Sequence, residues 1–173
     1  MKTKILALNS VFVSTEVGKL VETGLLLLVA VIAPALLAHT PANQWITGSI
    51  VNATLFLAAW RLGFINAALI AIFPSSIALI NGLLPAPMAT MIPFIILANV
   101  ALILSASLVK NKLASMIFAS LIKFSILFII SSLIFSSSTT PLLQMFSWPQ
   151  LVTALAGGLI ALAFFKTLNK KSI

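Results

Sequence analysis

The chain has 173 residues, of which 61% are hydrophobic and 7% are charged, and its formal net charge is +8. A soluble fold needs a charged surface over its core, so this composition, with a mean hydropathy of +1.23, excludes one. The basic residues punctuate apolar runs instead of gathering on one water-facing surface, which argues against nucleic acid as a partner. The composition predicts an integral membrane protein, all α-helical, with one domain over residues 1–173 in the lipid bilayer.

The first 60 residues predict a surface segment and two spans. Ile5, Leu8 and Phe12 lie on one helical face, so residues 1–18 form either a short amphipathic helix on the membrane or a frayed tail. The first span is predicted at 23–38, where Pro34 should kink the helix or end it early. The second span is predicted at 45–60, with a tryptophan near each end as in an aromatic belt.

The next two spans contain helix breakers. The third, at 62–84, includes Pro74 and the pair Asn81-Gly82, so it is predicted to be a kinked helix or two shorter pieces. Broken backbone at membrane depth must be buried in protein or line a cavity. The fourth span is predicted at 88–109, with Pro93 inside it.

The last two spans are predicted at 113–135 and 148–168. The fifth is apolar throughout except for Lys123 near its centre, where a lysine costs ~2.5–3.5 kcal/mol on insertion scales and usually marks a functional site. The sixth carries small residues at helical spacing that allow another helix to approach closely. These residues are Ala154, Gly157, Gly158 and Ala161.

With six spans, every lysine and arginine except Lys123 falls on one side of the membrane. The loops at 39–44, 81–87 and 136–147, on the other side, carry neither. By the positive-inside rule both termini are predicted to be cytosolic, in a multi-pass protein of the cell membrane.

Several kinds of chemistry lack their residues. The chain has no phosphate-binding loop, and its acids, Glu16 and Glu22, lie at or before the cytosolic end of the first span. One histidine and no cysteine leave no transition-metal cluster, and no serine or threonine has a base at a recognisable spacing. The sequence therefore predicts a protein that is not an enzyme and has no cofactor or metal site.

Polar side chains at similar depth predict a substrate-binding pocket that opens outward. At ~1.5 Å per residue, Asn52, Asn99 and Lys123 lie ~10–18 Å from the outer ends of three different helices. The other candidate residues lie nearer the outer rim or on the same face as Asn99. They are Trp45, Gln144, Gln150 and Met91.

Two alternatives for these residues are structural. Each asparagine can act as interhelical glue worth ~1 kcal/mol. Lys123 can snorkel towards the cytosol or hydrogen-bond the carbonyls of the broken third helix.

Four stretches carry a family resemblance over most of the chain. They are NQWITGSIVNATLFLAA (43–59), LLPAPMATMIPFIILANVALIL (83–104), SLIKFSILF (120–128) and MFSWPQLVTALAGGLIAL (145–162). With six short helices, they resemble the substrate-binding S component of energy-coupling factor (ECF) transporters.

The resemblance implies a membrane-embedded binding protein that captures a vitamin or related micronutrient from the outer side. Its partners would be a transmembrane coupling subunit and two ABC ATPases. The implied site lies in the outer halves of helices four to six and the first loop, regions that contain Trp45, Asn99, Lys123, Gln144 and Gln150. A pocket with a lysine and no acid suggests an anionic or carbonyl-rich ligand.

A second hypothesis is a structural membrane subunit, such as an anchor in a respiratory or hydrogenase-like complex. Lys123 would then pair with a carboxylate of a neighbouring subunit.

Overall fold

A computed structural model describes residues 15–37, 40, 43–82, 86–135 and 141–170, and this part of the chain is helical without any strand. The all-α prediction is confirmed. In chain order the elements are α1 (Glu16–Leu37), α2 (Asn43–Arg61), α3 (Phe64–Ile80), a 3₁₀ segment (Ala86–Met91), α4 (Ile92–Leu108), α5 (Lys112–Ile134), the short α6 (Pro141–Met145) and α7 (Trp148–Lys170). Residues 1–14 of the surface segment predicted for residues 1–18 lie outside the described residues.

Four helical stretches are long and apolar enough to cross a membrane: Glu16–Leu37, Met88–Leu108, Lys112–Ile134 and Leu143–Thr167. Their outward surface is apolar, since leucines such as Leu25, Leu97 and Leu133 are more than half exposed. Water would make such a surface costly, whereas lipid tails would not.

Local caps explain two helix starts. The Thr15 hydroxyl accepts a hydrogen bond from the Gly18 N–H at 3.1 Å, so α1 begins at Glu16, seven residues before the predicted start at 23. The Asn111 side chain accepts from the N–H groups of Leu113 and Ala114, which fixes the start of α5.

Neither Pro34 nor Pro74 ends the helix that contains it. α1 runs past Pro34 to Leu37, and α3 is one helix through Pro74, not two pieces. α3 ends at Ile80, before Asn81 and the left-handed Gly82 (φ 66°), so the predicted span to 84 is too long.

Pro93 marks a start of α4, not its interior. The chain forms a 3₁₀ segment up to Met91, and Pro93 then lies in the first turn of α4, where its missing N–H has no intrahelical partner to lose. The α-helix thus begins four residues after the predicted position 88.

The least apolar long helix, α2, lies at the centre of the bundle. It packs against α1, α3, α4 and most extensively α7, while α5 packs on α4 and α7. Asn52 and Thr54 of α2 are buried together with the apolar side chains around them. The polar residues of this helix therefore face protein.

Contacts between helix ends define the two ends of the bundle. At one end, termed the basic end, Arg61 forms a two-pronged ion pair with Glu22, and Lys112 lies over the rings of Trp60 and Phe165, 5.6 and 5.5 Å from their centroids. At the opposite end, termed the neutral end, α2 and α7 begin.

Glycine allows α2 and α7 to touch backbone to backbone. A Cβ added at Gly157 would lie 2.5 Å from the Ser49 carbonyl oxygen, 2.6 Å from Asn52 Cβ and 2.8 Å from the Ala53 nitrogen. A Cβ at Gly158 would collide with Met116. The predicted close approach along this helix is thus confirmed, and it holds Asn52 in place.

We expect Gly157→Ala to destabilise the protein, because overpacking against backbone that cannot rotate away costs ~1–3 kcal/mol. The thermal unfolding midpoint in detergent is the measurement. Gly24→Ala on α1 is the matched control, since its added Cβ meets nothing within 4 Å and alanine favours a helix. Equal midpoints for Gly157→Ala and the unmodified protein would contradict this packing.

Candidate functional site

A partly enclosed cavity of about 360 Å³ lies between the helices and extends from the neutral end towards mid-bundle. Its volume falls at the lower end of the ~300–1,000 Å³ typical of small-molecule pockets. Every helix from α1 to α7 contributes to its lining, with residues from the half of the bundle nearer the neutral end. The lining residues are Pro34, Asn43, Gln44, Thr47, Gly48, Val51, Asn52, Pro74, Ser75, Ala78, Met88, Ile95, Asn99, Lys123, Met145 and Gln150.

Lys123 forms the charged part of this cavity. It lies eleven residues from either end of α5, and only 4% of its surface is exposed. Its Nζ donates a hydrogen bond of 2.6 Å to Asn52 Oδ1, which crosses from α5 to α2. The two side chains predicted at similar depth therefore touch each other.

The Lys123 ammonium has donors to spare. It carries three N–H groups, and among the described residues only Asn52 accepts one. The two acids of the chain, Glu16 and Glu22, lie on the basic-end turns of α1. Neither snorkelling nor a bond to the carbonyls of α3 is observed in the described part of the chain. The lysine instead places its amino group at the cavity, with no carboxylate beside it among the described residues.

Asn99 connects the cavity to the proline turn of α3. Pro74 has no N–H to donate to the Ile70 carbonyl, four residues before it. Asn99 Nδ2 donates to the neighbouring Ala71 carbonyl at a long 3.4 Å. The other amide atom, Asn99 Oδ1, is buried and has no hydrogen-bond partner within the described residues. Asn99 thus forms an interhelical hydrogen bond, as the structural alternative from the sequence predicted, and keeps one unpaired acceptor.

Two glutamines connect the helix ends at the neutral end. Gln44 Nε2 and Gln150 Nε2 both donate to the Met145 carbonyl, at 2.8 and 3.0 Å, and so join the starts of α2 and α7 to the end of α6. Gln150, predicted as a rim residue, lines the cavity together with Gln44.

Trp45 and Gln144 line a different depression. Trp45 packs on Trp148 with ring centroids 5.0 Å apart, and this pair and Gln144 border a second cleft at the neutral end, which shares Gln44 and Met145 with the main cavity. Trp45 and Gln144 therefore lie outside the main cavity. Four of the seven predicted residues share it: Lys123, Asn99, Asn52 and Gln150.

Met91 does not reach the cavity. It is fully buried in an apolar cluster with Met88, Leu127 and Phe146. It precedes Asn99 by eight residues, a spacing that on an α-helix leaves the two side chains ~80° apart around the axis, and the chain is 3₁₀ up to Met91. Ile95, one α-helical turn before Asn99, does line the cavity.

Sequence reasoning missed the α2 residues that line the cavity above Asn52. Gln44, Gly48 and Asn52 lie four residues apart, so they share one helical face, and Thr47 and Val51 flank it. This spacing could have identified them. The contribution of Pro34 and Ser75 had no comparable signal, because it depends on how α1 and α3 pack.

The cavity combines a few polar groups with an apolar wall. It offers a lysine ammonium, amides and hydroxyls within an apolar wall, and no group of three or more metal-ligating side chains occurs in the described ranges. Fixed polar groups in an apolar pocket give orientation and specificity to a small ligand.

No family model, curated protein or solved structure matches the chain. Fold and cavity define its class as an all-helical bundle with an apolar exterior and a partly enclosed cavity that contains a few polar groups.

Proposed function

We propose that the protein is the membrane-embedded substrate-binding subunit of an importer of the ECF type, and that it holds a small anionic or carbonyl-rich micronutrient in the cavity around Lys123. One observation carries this proposal. The Lys123 ammonium is buried at mid-helix, lines a ligand-sized cavity and has no carboxylate beside it. A buried charge is costly unless it is paired, so an anionic ligand group would supply the missing partner.

Six helices would cross the cell membrane. Besides the four long apolar stretches, α3 is an apolar helix of 17 residues, and α2 is more polar because it is surrounded by protein. Arg61, Lys112 and the lysines near the end of α7 would place the basic end in the cytosol, with the cavity reached from outside.

Cysteine labelling tests this orientation. In intact cells, cysteines introduced at Thr40 and Ala86 should react with an impermeant thiol reagent, and a cysteine at Asn111 should react only after lysis. The unmodified chain has no cysteine, so the background is low. Labelling of Asn111→Cys in intact cells would contradict the six-span arrangement.

Transport would require partners. The chain has no phosphate-binding loop of its own, so a coupling subunit and two ABC ATPases would supply energy. Several members of the family that this chain resembles dock the coupling subunit through small residues four apart on the first helix, where this chain has Ala30 followed by Pro34. The pair with that spacing on α3, Ala67 and Ala71, is fully buried inside the bundle. A coupling subunit would therefore have to dock elsewhere, and α1 offers the helix with the least buried apolar surface.

Reconstitution separates binding from transport. The purified chain alone in liposomes should bind its substrate but show no ATP-driven accumulation, because no nucleotide site is present. ATP-dependent accumulation by the isolated chain would refute the proposal.

The primary experiment is mass spectrometry of small molecules retained by the detergent-purified protein. A retained anionic or carbonyl-rich micronutrient, together with co-purifying ABC ATPases, supports the proposal. Retention of nothing, with co-purification of redox subunits, would favour the structural-subunit hypothesis instead.

A further inference from the structure

Two amide atoms of residues that line the cavity have no partner within the described residues, and they differ in kind. Asn99 Oδ1 is an acceptor on a side chain that is only 3% exposed. Its identity as oxygen follows from its neighbour, since the Ala71 carbonyl can only accept and therefore must face Nδ2. An unpaired buried acceptor is unfavourable, and a ligand donor would relieve it.

The second unpartnered atom lies beside the lysine. The Lys123 ammonium can only donate, so the Asn52 atom that it contacts is Oδ1, and Asn52 Nδ2 is left as a donor. No acceptor for this nitrogen occurs within the described residues. Asn52 Nδ2 and the spare N–H groups of Lys123 form adjacent donors, one neutral and one charged, which suit the two oxygens of a carboxylate.

These two features lie in one cavity but on different helices. Asn52 and Lys123 belong to α2 and α5, whereas Asn99 belongs to α4, and all three line the cavity. A ligand that satisfied them together would carry an anionic group at one position and a hydrogen-bond donor at another. An anion without a donor would leave Asn99 Oδ1 unpaired.

We propose that Asn99 is a specificity-determining residue, and that the substrate class is a small carboxylate that also carries an N–H donor, such as a lactam or cyclic urea. This inference rests on the proposed function, since it concerns the same cavity. It adds a second requirement to the anionic group. The long bond from Asn99 to Ala71 leaves the amide loosely held, so its oxygen can adjust to a ligand.

A matched pair of small rigid probes tests this assignment. Pyroglutamate has a carboxylate and a lactam N–H, and 5-oxotetrahydrofuran-2-carboxylate is the lactone of the same shape with oxygen in place of N–H. Binding is measured by calorimetry and thermal shift on the full-length detergent-purified protein, with probes at millimolar concentration. We expect pyroglutamate to bind about tenfold more tightly than the lactone, the difference that one buried hydrogen bond provides.

Variants assign that preference to Asn99. In Asn99→Leu the two probes should bind equally, because the acceptor is gone, while both remain better than the uncharged pyroglutamide. Asn99→Asp keeps an acceptor oxygen and should retain the preference for the lactam. Lys123→Met should remove the preference for carboxylate over amide and leave the preference for the lactam.

Each contrary result has a distinct meaning. Equal binding of lactam and lactone to the unmodified protein, no binding of pyroglutamate, or a preference that persists in Asn99→Leu would overturn the role of Asn99. A lactam preference that Asn99→Leu removes, combined with no effect of Lys123→Met on carboxylates, would uphold Asn99 and overturn the anion site of the proposed function. The thermal unfolding midpoint of each variant shows whether it is folded.

Discussion

Replacement of Lys123 with methionine is expected to lower the affinity for the retained substrate ten- to a hundred-fold. The change keeps the length of the side chain and removes its charge, and a hydrogen bond from a charged group contributes ~1.5–3 kcal/mol. The bond to Asn52 does not neutralise the ammonium, so the charge is still available to an anionic group. Titration of the substrate identified by mass spectrometry against both proteins is the measurement.

Lys112→Met is the matched control for this change. Lys112 begins the same helix but lies over Trp60 and Phe165 at the basic end, outside the cavity. Its loss should leave the affinity unchanged. The thermal unfolding midpoint of Lys123→Met should be unchanged or higher, since a buried methionine is cheaper than a buried ammonium. Unchanged affinity in Lys123→Met would remove Lys123 from the site and leave it as a structural partner of Asn52.

The second large effect is expected at the ion pair that joins α1 to α2. Arg61 Nε and Nη2 each donate a hydrogen bond to one carboxylate oxygen of Glu22, and the Arg61 and Glu22 side chains are only 13% and 20% exposed. Glu22→Gln should destabilise the protein by ~1–3 kcal/mol, below the ~3–5 kcal/mol of a fully buried pair because some water remains. The measurement is the thermal unfolding midpoint in detergent.

The chain contains its own control for that prediction. Glu16 and Lys19 form an ion pair three residues apart on the surface of α1, where Glu16 is 88% exposed. Glu16→Gln should therefore change the midpoint little. The double variant Glu22→Leu with Arg61→Met should regain most of the lost stability, since it leaves no charge unpaired. If Glu22→Gln and Glu16→Gln behave alike, the buried pair has no special weight.

Depth along a helix was predictable because it depends only on residue counting. A rise of ~1.5 Å per residue placed Asn52, Asn99 and Lys123 at comparable levels on three helices, and they line one cavity. The close approach at Gly157 was predictable for a similar reason, since small residues at helical spacing form a stripe whatever the partner.

The direction of a side chain around its helix, and the points at which a helix is interrupted, could be determined only from the tertiary structure. Met91 was assigned by extending the α4 face backwards, but whether residues 86–91 continue as an α-helix or tighten to a 3₁₀ turn depends on packing against α5 and α6. The sequence around Pro74 left open a kinked helix or two shorter pieces, and the structure has one helix, in which Asn99 donates to the Ala71 carbonyl of the turn before the proline.

The sequence by itself determined an apolar helical protein with one lysine at mid-helix and no acid to pair with it, because composition and one-dimensional spacing are properties of the chain alone. Only the tertiary structure decided that Asn52 is the partner of this lysine and that the Asn99 oxygen has no partner within the described residues. The physical reason is that a hydrogen bond between helices depends on their relative rotation and approach, and residues far apart along the chain set these through contacts such as Gly157 against Ser49 and Asn52.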